Sequence, residues 1–505
     1  MTPLPNDIAS QSQSSVTSSM ETLRHSASGS LSRQLSRRVM IEWFPYKVLL
    51  NIFCYFLDDS PENWPTLMHI CRKWRHIVVA SQRHLQLRLF CSHAAPVLKT
   101  LDCWPTPWPT LPIVVQYGGS PALNPPATED EDNIVAALKQ SDRVTSISLT
   151  VTRSLLKKLS AIKRPFPALE KLMLVSQDGA QLTLPSTFQW SPRLRCFHSS
   201  RVAFPSLLRL LYSSKNLVDL QLHEVLHPSI FPPEVFMNAF SGMVQLRSLS
   251  LHFPSIIVHV NLPPTSEQLV VLPALTRLNY TGRAEYLEGL VSRMDAPLLG
   301  DIKLTFLNIA VTNLPELRKF TDRIGTHNSY HWADILASEL GISVCLTQPG
   351  DSTCLKLQSS RKPLSEQLYF LSRICNQLSA FLLNVEDLRI TAQRPLGQGD
   401  IRCSAKWLEP IKSCRSVKWL HVSENISTLI TWSLQLPYMK NVLPALHKLC
   451  IKLRIRELKP CDSLMRESVV SLMVSRRLSG RPVAVEYQRI RVNELGGTGS
   501  RSAQS

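Results

Sequence analysis

One six-residue pattern recurs along most of the chain and limits what it can fold into. Each hexad has apolar residues at its first, fourth and sixth positions, and ten hexads occur, although Ser199 ends the third one. They begin at Val144, Leu169, Leu194, Leu217, Leu246, Leu275, Leu299, Val385, Val417 and Leu446. Successive hexads start 23 to 32 residues apart, except for one interval of 86 residues after Leu299. Such spacing indicates a fold built from repeated elements.

The period and the pattern are those of a leucine-rich repeat, which has a Leu-x-x-Leu-x-Leu strand signature every 20 to 29 residues or so. The predicted fold class is therefore α/β, with an N-terminal helical unit followed by a curved leucine-rich-repeat-like solenoid. Strands are expected at or near the ten hexads. The long interval could hold three weaker repeats, and within it residues 332–340 are interpreted as a helix.

The rest of the chain divides by composition into further segments. Residues 1–39 are Ser-rich and low in complexity, which predicts a disordered tail. Residues 40–90 show helical apolar spacing and predict a compact helical hairpin. Residues 91–140 form a Pro-rich connection with a first irregular repeat, including a short strand over 111–117 and a helix after the acids at 129–132. The repeat domain is placed at residues 141–487, and residues 488–505 are a second predicted disordered tail.

Composition excludes several classes of protein. The net charge is +18, but the basic residues are spread without a dense run, which favours a solvated surface over a nucleic-acid site. The twelve cysteines include no C-x-x-C pair, and free thiols are typical of a reducing compartment. No apolar run approaches the ~18 residues that a membrane span requires. A cytoplasmic or nuclear location is therefore expected.

Catalytic and metal-binding motifs are absent from the sequence. There is no P-loop, no G-x-S-x-G, no H-E-x-x-H and no G-x-G-x-x-G after a strand. The fourteen histidines are scattered and lack cysteine pairs that would complete a zinc site. The chain is expected to be neither an enzyme nor a protein with a cofactor or metal.

The segment from Phe44 to Leu89 resembles an F-box, whose pattern begins Leu-Pro-x-Glu-aliphatic-Leu and later shows Val-Cys-Arg-x-Trp-Arg. The matching residues are Pro45, Val48, Leu49, Ile52, Phe53 and Leu57 in the first helix, and Cys71, Arg72, Trp74 and Arg75 in the later signature. Phe44 stands where the family usually has leucine, which is a conservative change. Lys47 replaces the usual glutamate and reverses a charge near the docking surface.

Other segments extend this resemblance. PVLKTLDCWP, LPIVVQYGG, VLPALHKL and RRLSGRPVAV are similar to segments of a large group of F-box proteins from mushroom-forming (basidiomycete) fungi, so the resemblance covers most of residues 41–487. It implies a Skp-type adaptor, a cullin scaffold reached through that adaptor, and a receptor that itself does no chemistry. The adaptor-binding residues that it implies are Phe44, Pro45, Val48, Leu49, Ile52, Phe53, Leu57, Cys71 and Trp74.

The candidate target-binding residues come from the hexads themselves. Side chains alternate faces along a strand, so the third and fifth positions of each hexad point away from the core. The candidates are Lys171, Met173, Asp219, Gln221, Arg277, Asn279, Lys303, Arg389, Trp419 and His421. Their mixed charges favour an unknown protein target. The predicted function is the substrate-recognition subunit of a Skp-cullin-F-box ubiquitin ligase; a non-ligase repeat scaffold or a basic nucleic-acid-associated protein stays open as the alternative.

Overall fold

The computed structural model describes most of the chain between Phe44 and Ile490. The described residues are 44–92, 111–117, 128–176, 182–183, 185–203, 207–224, 232–253, 269–307, 313–324, 330–338, 341–347, 354–360, 364–393, 407–437, 441–454 and 462–490. They fall into two compact units that divide between Arg88 and Leu89, here called the helical unit and the sheet unit. The tail predicted at residues 1–39 lies outside the described residues, as do residues 491–505 of the tail predicted at 488–505.

The helical unit contains three helices, which are α1 (Tyr46–Asp59), α2 (Trp64–Ile70) and α3 (Arg72–Ala80). Its core includes Phe53 and Trp74, whose ring centroids are 4.6 Å apart. The sequence suggested one continuous second helix, but the backbone is extended at Cys71 and breaks it there. The Cys71 sulfur accepts the N–H of Trp74 at 3.5 Å and so caps α3.

The sheet unit is an α/β structure. Its strands are β1 (Leu89–Cys91), β2 (Ile113–Tyr117), β3 (Val144–Val151), β4 (Lys171–Ser176), β5 (Leu182–Thr183), β6 (Cys196–Ser200), β7 (Val202–Ala203), β8 (Asp219–His223), β9 (Ser248–His252), β10 (Val270–Val271), β11 (Arg277–Gly282), β12 (Met294–Asp295), β13 (Asp301–Phe306), β14 (Trp332–Ser338), β15 (Gly341–Thr347), β16 (Cys354–Ser360), β17 (Asp387–Ala392), β18 (Trp419–Ser423), β19 (Lys448–Arg454) and β20 (Ala484–Ile490). Its helices are α4 (Thr128–Leu138), α5 (Arg153–Leu159), α6 (Leu207–Ser213), α7 (Pro233–Phe240), α8 (Ala284–Val291), α9 (Pro315–Ile324), α10 (Leu364–Gln377), α11 (Ser379–Leu382), α12 (Glu424–Ser433) and α13 (Asp462–Leu478).

Within the described part of the chain, sixteen of these strands form one sheet in the order β1-β2-β3-β4-β6-β8-β9-β11-β13-β16-β15-β14-β17-β18-β19-β20. All neighbours in it are parallel except the two pairs that involve β15. The ten hexads all overlap strands of this sheet, which confirms the predicted strands. Nine of these strands begin at the third residue of the hexad, and the first, β3, begins at the first residue.

A repeated backbone contact links hexads whose strands are neighbours in the sheet. The carbonyl of Arg195, at a second hexad position, accepts the N–H groups of Val218 at 2.7 Å and Asp219 at 3.0 Å. The carbonyl of Val218 then accepts the N–H groups of Arg247 at 2.8 Å and Ser248 at 3.1 Å. A hexad linked in this way places the start of the strand that follows, because its second carbonyl bonds to the residues at that start. At the eighth hexad the accepting carbonyl belongs to His331, which precedes β14.

The hexad leucines form the core on one face of the sheet. Leu217, Leu220 and Leu222 are at most 2% exposed, whereas Asp219 and Gln221 between them are only partly buried. Helices pack beside one another in chain order, with α6 against α7, α7 against α8 and α8 against α9. The alternation confirms the outward positions in this hexad, whereas at the fifth position of two others Ser250 and Cys450 are buried, at 7% and 1% exposure.

The interval of 86 residues contains a three-stranded meander instead of three weak repeats. β14 pairs with β15 and β15 with β16, both antiparallel, while β16 joins β13 and β14 joins β17 in parallel. The predicted helix over residues 332–340 is therefore wrong, because residues 332–338 are strand β14. Ala333, Ile335 and Ala337 are buried and alternate with outward residues, which is the period of two expected of a strand. The sequence did not reveal this period clearly, because alanine is a good helix former.

The remaining boundaries of the sheet unit differ little from the prediction. The strand expected at residues 111–117 is β2, and the helix expected after the acidic cluster is α4. Strand β20 continues through Ile490, so residues 488–490 belong to the sheet and not to the predicted C-terminal tail.

The hexad core predicts a sharp contrast between neighbouring residues of β4. Leu172 is 0% exposed, so Leu172→Ala should lower the free energy of unfolding by about 2 to 5 kcal/mol through lost burial and a cavity. Lys171→Ala, on the opposite exposed face, should change it by about 0.5 kcal/mol or less. Urea denaturation of both variants measures this, and equal effects would contradict the assignment of faces.

Candidate interaction surfaces

The nine residues that the F-box resemblance implies for adaptor binding do not share one surface. Phe44 and Cys71 are partly buried, and Pro45, Val48 and Ile52 are exposed. The other four belong to the core of the helical unit: Leu49 and Phe53 at 0% exposure, Leu57 at 7% and Trp74 at 8%. Those four side chains cannot meet a partner in this conformation, so their assignment as contact residues is corrected to a role in the core.

An apolar stripe remains on the outer side of α1. Val48, Ile52, Tyr55 and Phe56 lie at positions i, i+4, i+7 and i+8, so they share one helix face. Their exposures are 40%, 45%, 77% and 40%. We call these four residues the α1 stripe. The sequence prediction missed Tyr55 and Phe56 as contact residues because the helical period alone does not say which of two apolar faces turns inwards.

The target-binding candidates lie together on the outward face of the sheet. Two rows of paired residues cross β4, β6, β8, β9, β11 and β13 side by side. One row is Lys171, Cys196, Asp219, Ser248, Arg277 and Asp301, and the other is Met173, His198, Gln221, Ser250, Asn279 and Lys303. None of the candidates is fully buried. The other members of these rows were missing from the candidates: Cys196, His198, Ser248, Ser250 and Asp301.

Two polar networks organise these rows. His198 Nε2 lies 2.7 Å from Asp219 Oδ2, and Gln221 donates its amide to the same carboxylate at 3.1 Å. Burial alone would raise the pKa of Asp219, but the hydrogen bonds from His198, Ser248 and Gln221, together with the charge of His198, outweigh it and lower that pKa. Arg277 and Lys303 both approach Asp301 Oδ2, at 3.2 and 3.4 Å. The carboxylates therefore hold the neighbouring donors in fixed positions.

Two histidines lie further along the same face. His223 and His252 are paired neighbours on β8 and β9, with ring centroids 6.2 Å apart and edge-on. Burial lowers the pKa of His223, and the charge on His252 lowers it further; burial also lowers the pKa of His252. Both imidazoles are therefore neutral near pH 7.

The candidates beyond the meander form a second group. In one row Trp332, Asp387, Trp419 and Lys448 are paired side by side, and in the next row Asp334, Arg389, His421 and Cys450. Burial raises the pKa of Asp334, although Arg389 Nε lies 3.5 Å from its Oδ1. Arg389, Trp419 and His421 were predicted from hexads. Trp332 and Asp334 were missed because β14 was interpreted as a helix.

An open cavity of about 810 Å³ lies elsewhere in the sheet unit. Trp190 and Tyr212, which are 63% and 50% exposed, line it together with Lys163 and Arg209. No hexad position lines this cavity, so the repeat pattern could not have predicted it.

The described residues contain few clusters of side chains that could bind a metal or react. No group of three or more His, Cys, Asp or Glu residues there could hold a metal ion. Eight of the cysteines among those residues are free. Of the helices described, none is both long and apolar enough to cross a membrane. The surfaces that stand out are therefore the α1 stripe and the outward face of the sheet.

Comparisons with known proteins give little beyond this geometry. No model of a known protein family matches the chain, and no curated protein matches it. Among solved structures, the chain is similar to the leucine-rich repeat-containing protein LegL7 from Legionella pneumophila, at 14% identity and a TM-score of 0.25. That match covers 65% of this chain and 90% of the other. The repeat architecture thus rests on the strand register of the chain itself.

The histidine pair predicts a loss of stability in mild acid. An unfolded histidine binds its proton near pH 6.5, whereas His223 and His252 bind theirs only at lower pH when folded. Between those values the unfolded state holds more protons, so the free energy of unfolding falls as the pH drops below about 6.5. The double variant His223→Gln and His252→Gln should flatten this dependence in urea denaturation between pH 7.5 and 5. The exposed His447→Gln serves as its control, and a double variant that keeps the full slope would contradict the assignment.

Proposed function

We propose that the chain is a substrate receptor of a Skp-cullin-F-box type ubiquitin ligase, with the α1 stripe docking the adaptor and the outward sheet face binding a target protein. The observation that carries this proposal is the α1 stripe. Three small helices already bury Leu49, Phe53 and Trp74, yet α1 keeps a second apolar face exposed. Large exposed apolar patches on small soluble units mark protein interfaces. The F-box resemblance of this segment indicates that the partner is a Skp-type adaptor.

The sheet unit supports the other half of the proposal. Its outward face presents Lys171, Asp219, Arg277, Asp301 and Arg389 along paired strands, a mixture of charges that suits a folded or extended protein. A phosphate backbone would select for lysine and arginine alone. In this proposal the receptor binds and positions a target in the cytosol or nucleus, needs no cofactor, and leaves the chemistry to the other ligase subunits.

The α1 stripe gives a direct test of adaptor docking. Ile52→Glu places a charge in the centre of the proposed interface without touching the core, so it should cost at least about 2 kcal/mol of binding, or about 30-fold in affinity. Tyr55→Glu should act in the same direction. The full chain, produced together with a Skp-type adaptor and its cullin, is captured, and the adaptor and cullin that it retains are quantified.

The matched control is Val244→Glu, which makes the same kind of change at an aliphatic residue of the sheet unit that is 59% exposed. It should retain the adaptor at the level of the unaltered chain. Circular dichroism verifies that all variants keep their helices and strands. If Ile52→Glu captures as much adaptor as the unaltered chain, the stripe does not dock the adaptor. If the chain captures adaptor but no cullin, the result favours a non-ligase scaffold.

A further inference from the structure

Two tryptophans stand on either side of one carboxylate on the outward face of the sheet. Trp332 on β14 pairs with Asp387 on β17, which in turn pairs with Trp419 on β18. Neighbouring strands lie about 4.8 Å apart, so about 10 Å separates the two tryptophan backbones. We call Trp332, Asp387 and Trp419 the tryptophan bracket. Side chains stand roughly perpendicular to a sheet, so a group centred between the two indoles lies about 5 Å from each of them, within the roughly 6 Å range of a cation–π contact.

The indoles of the bracket have no partner within the part of the chain that the structure describes. Trp332 is 51% exposed and Trp419 43% exposed. No aromatic ring and no cation stacks on either of them, whereas Arg323, for example, lies 5.9 Å from the Phe320 ring centroid. Exposed tryptophans are costly to leave in water and are enriched at the centres of protein interfaces.

The charge between the indoles is negative. Among the described residues, Asp387 makes its ion-pair contact with His421 Nε2, at 3.4 Å. Two nearby cations are held by other carboxylates, since Arg389 faces Asp334 and Lys448 pairs with Glu486. The charge of Lys452 also acts on Asp387, but the two form no ion pair among the described residues. Asp387 therefore supplies the negative charge at the floor of the bracket.

We propose that the tryptophan bracket binds an arginine side chain of the target protein, with the guanidinium stacked between the indoles and facing the Asp387 carboxylate. An acidic side chain would be repelled by Asp387. An apolar one would take the carboxylate out of water with only the 3.4 Å contact to His421 given for it among the described residues, which is costly. A guanidinium satisfies both features at once, because it is flat, stacks on aromatic faces and bonds to carboxylates.

This assignment rests on the proposed function, since it names the chemistry that the target presents to the sheet. Its test involves neither adaptor nor cullin. A failure here would remove arginine recognition and leave adaptor docking as it stands.

The full chain, labelled with 5-fluorotryptophan at its ten tryptophans, allows the bracket to be observed directly by fluorine NMR. Trp332→Phe and Trp419→Phe assign the two resonances. Titration with N-acetylarginine methylamide should move both resonances along one saturable curve and leave the other eight in place. The uncharged isostere N-acetylcitrulline methylamide should bind at least fivefold more weakly, because it lacks the positive charge.

The carboxylate is tested by Asp387→Asn, which keeps the shape of the side chain and should weaken arginine binding at least threefold. Trp432→Ala removes a tryptophan of similar exposure (53%) from α12 and should leave the titration unchanged. The tryptophan resonances outside the bracket report whether each variant is folded. Arginine and citrulline that bind equally, an unaffected Asp387→Asn, or bracket resonances that do not move would each overturn the proposal.

Discussion

The fold of the sheet unit depends on the backbone hydrogen bonds between the second residue of one hexad and the start of the next strand. The carbonyls of Arg195 and Val218 each accept two N–H groups from the following repeat. Because these bonds involve no side chain, they leave the third and fifth positions of each hexad free to vary. The leucines supply burial, the backbone supplies register, and the outward rows are available for recognition.

This division of roles between core leucines, backbone and outward residues explains what could be predicted from the sequence. The buried positions must be apolar at a regular interval, so the ten hexads predict the strands. The alternation of side chains along a strand then predicts that Leu172 faces the core and Lys171 faces outwards. The meander lacks this regular apolar pattern. Strands β14 and β15 are short, and their buried residues include alanine or glycine. Trp332, one of the two indoles of the tryptophan bracket, was missed for this reason, whereas Trp419 lies in a hexad and was predicted.

The helical unit shows a different limit of sequence reasoning. Helix α1 carries apolar residues on two faces, and the spacing of Leu49 and Phe53 is the same as that of Val48 and Ile52. Which pair turns inwards is decided by partners remote in sequence, above all Trp74, whose ring packs on Phe53. A pattern of period 3.6 therefore identifies the helix and its apolar residues, while tertiary packing separates its core from its exposed stripe.

The meander also has a consequence for how the sheet unit assembles. Strands β14 and β15 are separated in the chain by two residues, 339 and 340, and β15 and β16 by six, 348–353, whereas the parallel pairs of the long sheet are separated by far more. Closing so short a loop costs little chain entropy, so this hairpin is the place where ordering of the sheet is cheapest. Repeats can then add outwards on both sides, from β13 towards the N-terminus and from β17 towards the C-terminus. One reversed strand thus makes the middle of the chain, not either end, the natural starting point for growth of the array.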